Sequence, residues 1–408
     1  MKPLGPIPSG YDAIDGVLAI SGSKVTDLVD EIGSTPLFVY SRNRLRDRVA
    51  QLRAALPMQL GLHYAVKANS YVPILKEFSE LVDGFDIASG GELAITQQAG
   101  IDPALISFAG PGKRDAELEA AVRAGVTLNL ESEYEADRAI AVGDRLGIQP
   151  RLAIRVNPDF DLKGSGMKMG GGAKPFGLDA GRVPSLIRRV IASGAEWRGF
   201  HIFAGSQALD AEAIAETQAQ TIALAARLAQ ESGAQVPHCN LGGGFGIPYF
   251  PGDEPLNLSL VGEKLSEQFA RLPDVLIDTE FCIELGRYLV GEAGVYLATV
   301  IDRKESHGEI FLVTDGGLHH QLAASGNFGT VVRRNYPSAI ATRFGAAPEE
   351  EATIVGCLCT PLDILANKGG FPRAEPGDLV AIFCAGAYGA SASPAAFLGQ
   401  GPAAEMLV

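Results

Sequence analysis

The stretch LHYAVKAN, residues 62–69, sets the pattern for the first two thirds of the chain. It is a short, mostly apolar run that predicts a strand over Leu62–Ala65, and a lysine, Lys67, follows it. Similar runs recur as far as about residue 285, and segments with apolar residues at helical spacing lie between them. Alternation of strand and helix over this length favours a (β/α)8 barrel, whose chemistry lies at the carboxyl ends of its strands.

The predicted strands of this region share an apolar composition. They are Pro36–Tyr40, Leu62–Ala65, Gly84–Ile87, Ile106–Phe108, Thr127–Leu130, Arg151–Val156, Gly199–Ile202, His238–Leu241 and Leu276–Glu284. The predicted helices are rich in Ala, Leu, Glu and Arg. They are Arg44–Leu56, Ala116–Ala124, Glu133–Leu146 and Ala211–Ser232.

After about Gly286 the pattern changes to strands separated by Gly, Pro and Asp turns. These strands are Val295–Arg303, Glu309–Thr314, Glu351–Val355, Leu379–Phe383 and Ala404–Val408. We therefore predict a fold that is α/β plus β: a TIM-like barrel over residues 36–285 and a β-sandwich-like domain over residues 286–408. Residues 1–35 are expected to pack on the β domain. Two long loops, Lys163–Lys174 and Gly316–Arg334, are candidates for functional segments.

Composition excludes several classes of function. The 408 residues carry a formal net charge of −14, which disfavours binding to nucleic acid or to an anionic membrane. We find neither an apolar run of membrane-spanning length nor a signal-peptide pattern, and we therefore expect a cytoplasmic protein. The cysteines are odd in number and form no CxxC pair, so we expect neither a metal site nor a disulfide framework.

Two features by themselves point to cofactor chemistry. Lys67 lies directly after a strand, where a partly buried neutral amine is nucleophilic toward an aldehyde, although an isolated lysine usually lies at the surface. The turn NLGGGFG, residues 240–246, follows another strand and could wrap a phosphate with backbone amides. A plain tight turn explains the glycines equally well.

Two more motifs carry candidate cofactor contacts. In ELGRYLV, residues 284–290, Glu284 could pair with a protonated ring nitrogen and Arg287 could bind a phosphate, unless the two form a local salt bridge. In HIFAGSQ, residues 201–207, His201 and Phe203 would share one face of a strand. Either flat ring could stack on a cofactor, or both could be core residues.

The order of the motifs is more specific than any one of them. In chain order they are HYAVKAN with Lys67, FDIAS with Asp86, IRVNP with Arg155, HIFAGSQ, NLGGGFG, ELGR, GCLCTPLD with Cys359, and GAYGAS with Tyr388. This series resembles the pyridoxal-phosphate-dependent group IV decarboxylases, which include the diaminopimelate, ornithine and arginine decarboxylases. The resemblance extends from about Thr35 to Phe397. A narrower group, the decarboxylases associated with exosortase A systems, is similar also in GPGKRDAELE, in NPDFDLKGSGMKMGGG and in TDGGLHHQLAASGNFG.

The resemblance implies a role for each matched residue. Lys67 matches the Schiff-base lysine, and Glu284 matches the carboxylate that pairs with the pyridine nitrogen. The phosphate contacts are Gly243, Gly244, Arg287, Tyr388 and Ser206. Asp86 and Arg155 match residues near the lysine and the ring. Cys359 matches a cysteine that enters from the partner subunit and helps to protonate the product, which implies a homodimer with shared active sites.

Two departures from the family bear on the substrate. Decarboxylases of diamino acids carry an acidic residue after the cysteine, and this chain has Thr360 there. Asp363 could replace it, and Arg333 lies where relatives place an arginine for a substrate carboxylate. Relatives of the diaminopimelate type also stack a histidine on the ring at the position of Phe203, so Phe203 is expected to stack there with His201 beside it.

The sequence thus predicts a pyridoxal-phosphate-dependent decarboxylase of an amino acid or of a carrier-linked amino acid. Diaminopimelate decarboxylase proper is one alternative, and an amino-acid racemase is another, since such racemases share the barrel and the lysine. A non-catalytic pyridoxal-phosphate protein would usually end after the barrel. Carrier proteins are acidic, so docking one on this chain would need a local basic patch such as Arg333, Arg334 and Arg343.

Overall fold

The computed structural model of the chain describes residues 1–326 and 333–408. These residues form two compact units. The first, which we call the barrel unit, comprises Arg48–Gly246 and Pro255–Gly286. The second, the sheet unit, comprises Met1–Asp47, Ile247–Glu254 and Arg287–Val408.

The strands are numbered in chain order. They are β1 (Asp12–Ile14), β2 (Val17–Ile20), β3 (Ser23–Lys24), β4 (Leu37–Tyr40), β5 (Gly61–Ala65), β6 (Gly84–Ile87), β7 (Ile106–Phe108), β8 (Thr127–Leu130), β9 (Arg151–Asn157), β10 (Met167–Lys168), β11 (Leu178–Asp179), β12 (Glu196–Ile202), β13 (Gly205–Ser206), β14 (His238–Gly243), β15 (Glu280–Leu285), β16 (Gly294–Ser306), β17 (Glu309–Thr314), β18 (Ser338–Ile340), β19 (Glu350–Val355), β20 (Ile364–Phe371), β21 (Leu379–Ile382) and β22 (Ala404–Leu407).

The α-helices are numbered in the same way. They are α1 (Val25–Ile32), α2 (Arg42–Ala55), α3 (Val72–Phe78), α4 (Gly90–Ala99), α5 (Asp115–Ala124), α6 (Glu133–Leu146), α7 (Val183–Ala192), α8 (Ala211–Ser232), α9 (Leu258–Phe269) and α10 (Arg287–Val290).

The barrel unit is a closed ring of eight parallel strands. The strands follow each other around the ring in chain order, β5, β6, β7, β8, β9, β12, β14 and β15, and β15 pairs with β5 to close it. Helices α3 to α9 connect successive strands, as the strand–helix pattern of the sequence predicts. Helix α6 illustrates the local chemistry: the Ser132 hydroxyl accepts a hydrogen bond from the Glu135 amide at its start, and Gly147 ends it at a φ of 65°.

The sheet unit is built mainly from the C-terminal third of the chain. Its main sheet has the order β18, β21, β16, β17, β19 and β20, and β4 joins it beside β16 and pairs with β22. Strands β1 to β3 form a separate small antiparallel sheet. The apolar residues of these strands and of α1 pack into one core, which includes Leu18, Leu28, Leu37, Val295 and Phe383. The predicted fold class, a TIM-like barrel with a mostly sheet C-terminal domain, is confirmed.

One predicted barrel strand was placed in the wrong sheet. The run predicted over Pro36–Tyr40 forms β4, but it pairs antiparallel with β16 and parallel with β22 in the sheet unit. All four residues of β4 are buried, and a strand that is apolar on both faces does not reveal which sheet covers it. Without this strand, the predicted series contains the eight strands of the barrel. The predicted start of the last strand at Leu276 is also wrong, because β15 begins at Glu280.

The two predicted long loops contain different local structure. Lys163–Lys174 contains the short strand β10, which pairs with β13. Within Gly316–Arg334 the described part is a series of turns, and residues 327–332 lie outside the described residues. Among the described residues, no helix combines the length and the apolar composition needed to cross a membrane.

Candidate active site

Lys67 and Glu284 meet at the carboxyl ends of two neighbouring strands. Lys67 lies in a single 3-10 turn, Val66–Ala68, directly after β5. Glu284 is the penultimate residue of β15, and it pairs in register with His63 of β5. The Lys67 Nζ consequently lies 3.8 Å from Oε1 of Glu284. The Lys67 side chain is 43% exposed, so its amine can be reached from outside the barrel.

The Glu284 carboxylate is held by polar groups from the barrel interior. Its Oε2 lies 2.6 Å from Nε2 of His201 and accepts a longer hydrogen bond, 3.3 Å, from the Asn240 side-chain amide. Burial alone would raise the pKa of Glu284, but His201 and Lys67 outweigh it and lower the pKa below its ordinary value. The site therefore presents an ionised carboxylate, which is what a protonated pyridine nitrogen requires.

The two rings of HIFAGSQ have different positions in this site. His201 is buried, and its contact with Glu284 makes it a positioning residue for that carboxylate. Phe203 lies just beyond the end of β12, and its ring centroid is 5.2 Å from the Lys67 Nζ. Phe203 thus lies beside the lysine, and its stacking on the cofactor stays a prediction.

Asp86 lies on β6 and faces the same interior. Its Oδ2 is 3.2 Å from Nδ1 of His63, and its Oδ1 is buried with no partner among the described residues. One donor atom of Asp86 lies within 4.8 Å of donor atoms of His201 and Glu284. Asp86 therefore belongs to the same polar group as His201 and Glu284.

Arg155 belongs to a buried network of ion pairs, and its partner there, Glu131, was not predicted from the sequence. Its Nη1 donates to Oε1 of Glu131 at 2.8 Å. Glu131 also accepts hydrogen bonds from the Gly110 and Gly177 amides, and Arg155 with Lys113 lowers its pKa against the effect of burial. Glu131 follows β8 directly, so its place at a strand end was a signal that could have identified it.

The glycine turn after β14 is shaped by close backbone contacts. Gly244 has a φ of 83°, a conformation that disfavours other residues. A Cβ on Gly243 would overlap the carbonyl oxygen of Glu284, and a Cβ on Gly244 would collide with that of Gly205. Ser206, on β13, lies next to Gly205. The chain thus forms a cradle free of side chains, which fits a phosphate group.

Arg287 and Tyr388 lie together in the sheet unit. The Arg287 guanidinium carbon is 4.7 Å from the centre of the Tyr388 ring, and Nη1 donates to the Tyr249 hydroxyl at 2.8 Å. Burial acts to lower the pKa of Arg287, but the nearby tyrosines outweigh it and raise the pKa. Its Nε is buried without a partner among the described residues, which leaves a cationic donor for a further acceptor.

The predicted substrate residues lie in one turn of the sheet unit and in the segment beside it. Cys359 is exposed and Thr360 half-buried, and the Arg333 Nη2 donates to the Leu362 carbonyl at 3.3 Å. Asp363, the third predicted substrate residue, already has partners within the chain. Asp363 is buried, and its two oxygens accept the backbone amides of Leu318 at 2.6 Å and Leu358 at 2.9 Å. It holds this turn in place.

Comparison with known proteins identifies the larger part of the chain. Residues 42–291 match the family model described as "Pyridoxal-dependent decarboxylase, pyridoxal binding domain". An L-glutamyl-[BtrI acyl-carrier protein] decarboxylase of Niallia circulans is 35% identical over 379 residues, which cover 91% of this chain and 88% of that protein. The diaminopimelate decarboxylase of Aquifex aeolicus is 33% identical over 385 residues, 92% of this chain and 87% of that one.

Solved structures agree with these matches. The crystal structure of diaminopimelate decarboxylase from Helicobacter pylori complexed with L-lysine superposes with a TM-score of 0.82 at 26% identity. The alignment covers 94% of each chain. The similarity therefore includes both the barrel and the region of mostly β structure that follows it.

Proposed function

The chain belongs to the pyridoxal-dependent decarboxylase family, and we propose that its substrate is an amino acid carried as an acyl-carrier thioester rather than a free diamino acid. The enzyme is an amino-acid carboxy-lyase with pyridoxal phosphate as its cofactor, as the sequence predicts. The proposal concerns the substrate, the roles of single residues and the assembly.

The barrel residues fit the cofactor. Bound pyridoxal phosphate supplies the electron sink that a decarboxylation needs. The ionised Glu284 would hold the pyridine nitrogen, Lys67 would carry the cofactor, and the cradle of Gly243 and Gly244 would take the phosphate. Phe203 would cover one face of the ring. Arg287, Tyr388 and Ser206 remain predicted phosphate contacts, and Asp86 and Arg155 remain predicted neighbours of the lysine and the ring.

The proposal for the substrate depends on one observation, the engagement of Asp363. Between Gly356 and Asp363 the sequence contains one carboxylate, and both of its oxygens accept backbone amides. Thr360 offers a hydroxyl, which accepts a 3.3 Å hydrogen bond from the Leu362 amide. A buried ammonium group needs an anionic partner, because leaving the charge unpaired costs several kcal/mol. This turn therefore suits a substrate without a distal amine.

A carrier-linked substrate also agrees with the cations near this turn. Arg333 contacts the turn at Leu362, and the exposed Arg334 stacks over Phe250 at 3.8 Å. Arg343, the third member of the predicted basic patch, is paired with Asp378 and is a weaker candidate. The relative of Niallia circulans is named for an L-glutamyl group on an acyl-carrier protein, which supports the same substrate class.

We further propose a homodimer in which Cys359 of each chain serves the site of its partner. Cys359 is exposed in the single chain, together with the neighbouring Leu362, which is 53% exposed. A cytoplasmic location and membership of the exosortase-associated group are retained as predictions from the sequence.

A substrate panel tests the proposal. CO2 release by the purified holoenzyme is measured with L-glutamyl and other aminoacyl carrier proteins, with the same free amino acids, and with lysine, ornithine and meso-diaminopimelate. We expect turnover of a carrier-linked substrate and little or none of the diamino acids. Diaminopimelate decarboxylase proper is the second candidate, favoured by the Aquifex aeolicus relative. Efficient turnover of free meso-diaminopimelate would establish it and refute the thioester proposal.

A further inference from the structure

A polar cavity of about 160 Å³ opens among the amino-terminal ends of the barrel strands, whereas Lys67 and Glu284 lie toward the carboxyl ends. The interior of a TIM barrel is usually filled with bulky branched apolar side chains. Here the cavity is lined instead by polar groups, including His63, Ser107, Asn129 and His238. A polar cavity at this end of the barrel offers side-chain donors and acceptors to a ligand.

Two potential metal ligands, His63 and His238, line this cavity, and a third, Cys282, lies close to both. His63 lies on β5, His238 begins β14 and Cys282 lies on β15, so each comes from one of three adjacent strands. One donor atom of each residue lies within 4.8 Å of the donor atoms of the other two. Cys282 precedes Glu284 by two residues, and residues two apart on a strand point the same way. Cys282 therefore lies on the same face of β15 as Glu284, nearer the start of the strand.

We propose that His63, His238 and Cys282 form a binding site for a divalent transition metal, with zinc as the best match. Two imidazoles and a thiolate are donors that zinc prefers, whereas magnesium and calcium require oxygen ligands. Three protein ligands leave a fourth tetrahedral position, and the cavity provides space for a water molecule there. Each of these side chains alone is a common core feature, so the assignment depends on the approach of their three donor atoms to within 4.8 Å.

The surroundings of His63 support the assignment. Its Nδ1 lies 3.2 Å from Oδ2 of Asp86, which leaves Nε2 as the ligand atom. A metal-binding histidine typically donates its second ring N–H to a carboxylate in this way, which orients the ring and strengthens the ligand. Asp86 thus connects the proposed site with the group formed by His201 and Glu284.

The charges around the cavity permit a cation. Arg198 lines it, but Asp83 and Glu280 line it too, so two carboxylates balance one guanidinium. Burial lowers the pKa of His238 to about 3, which keeps this ring neutral and able to bind a metal. Burial raises the pKa of Cys282, and Cys282 with Asp86 raises that of His63 against the effect of burial. Metal binding therefore has to displace protons from these two groups.

Cobalt binding to the holoenzyme tests the proposal independently of catalysis. The protein is treated with a chelator, and Co²⁺ is then titrated while absorbance is read in the red, outside the absorption of the cofactor. We expect one Co²⁺ per chain with a tetrahedral ligand-field band, displaced by Zn²⁺, and one Zn²⁺ per chain by elemental analysis. Cys282→Ser and His238→Asn are each expected to weaken binding by more than the roughly 10- to 100-fold that loss of an outer-shell partner costs.

Matched controls separate ligation from packing. Cys239→Ser alters a buried thiol on β14 next to His238, and His307→Asn alters a histidine of the exposed hairpin between β16 and β17. Both should bind cobalt as the parent does. Binding by the parent well below one equivalent would overturn the proposal. Binding by Cys282→Ser and His238→Asn equal to that of the parent would also overturn it, as would a loss in Cys239→Ser equal to the loss in Cys282→Ser. If Cys282→Ser fails to fold, His238→Asn decides alone, because His238 lies at the rim of the barrel.

Discussion

Nε2 of His201 lies 2.6 Å from Oε2 of Glu284, and both side chains are buried. This contact links the end of β12 to the end of β15 across the barrel interior. Burial by itself would raise the pKa of the carboxylate, and His201 is the largest influence that lowers it. The electronic state proposed for the site thus depends on a residue that need not contact the substrate.

Replacing His201 with leucine should raise the pKa of Glu284, because the carboxylate stays buried and loses its strongest partner. In the parent this pKa lies below its ordinary value, so activity should not be limited by Glu284 until the pH falls through that low value. In His201→Leu the acid limb of kcat/KM should move to higher pH, and below that limb activity should fall about tenfold per pH unit. The pH profiles of both proteins measure this, with His307→Leu as an exposed control. An unshifted acid limb would contradict the assigned role.

Lys67→Ala should abolish the visible absorbance of the purified enzyme, because the cofactor loses its covalent attachment. Borohydride reduction of the parent followed by peptide mapping should place the cofactor on Lys67. Lys76→Ala, which changes an exposed lysine on the following helix, should keep both colour and activity. Mapping of the adduct to another lysine, such as the buried Lys113, would refute the assignment.

Gly243→Ala should weaken cofactor retention and lower stability by about 1–3 kcal/mol, because its Cβ would overlap the Glu284 carbonyl oxygen and the backbone would have to move. Gly181→Ala is the matched control, since no atom lies within 4 Å of the Cβ that it would add. Denaturant unfolding and cofactor titration measure the two effects. Equal stability and cofactor affinity in the two variants would show that the cradle tolerates a side chain.

Asp363→Asn should destabilise the enzyme by about 1–3 kcal/mol, because the amide can accept from only one of the two backbone N–H groups and leaves the other unpaired. Asp12→Asn, at an exposed position in β1, should have no measurable effect. Thr360→Glu, in contrast, should leave stability nearly unchanged and give new turnover of a diamino acid. Turnover of a diamino acid by the parent that is lost in Asp363→Asn, at unchanged stability, would show instead that Asp363 binds substrate.

Mixing Lys67→Ala with Cys359→Ala should restore activity if the active sites are shared. Each variant alone should be inactive or nearly so. In a random mixture half of the dimers are mixed and one of their two sites is intact, so recovery should approach about a quarter of the parent activity. Chain exchange is verified by mass spectrometry of differently labelled chains. Absence of recovery after complete exchange would exclude a shared site.

The sequence by itself determined the fold class, the cofactor and the type of reaction. Apolar runs with helical segments between them mark the strands of a barrel, because both periodicities are local properties of the chain. The position of Lys67 after a strand and the glycines after β14 are local as well. The order of these motifs was sufficient for the resemblance to the decarboxylases, and the family match confirms it.

Only the tertiary structure decided which distant residues meet. The run LFVY could have joined either sheet, and its pairing with β16 follows from the packing of the sheet unit rather than from its composition. The sequence offers Asp363 as a substrate ligand, and only the structure shows that its two oxygens already accept the amides of Leu318 and Leu358. His63, His238 and Cys282 are up to 219 positions apart in the chain and show no metal-binding spacing. Strand alternation shows which residues share a face, but closure of the barrel brings those faces together.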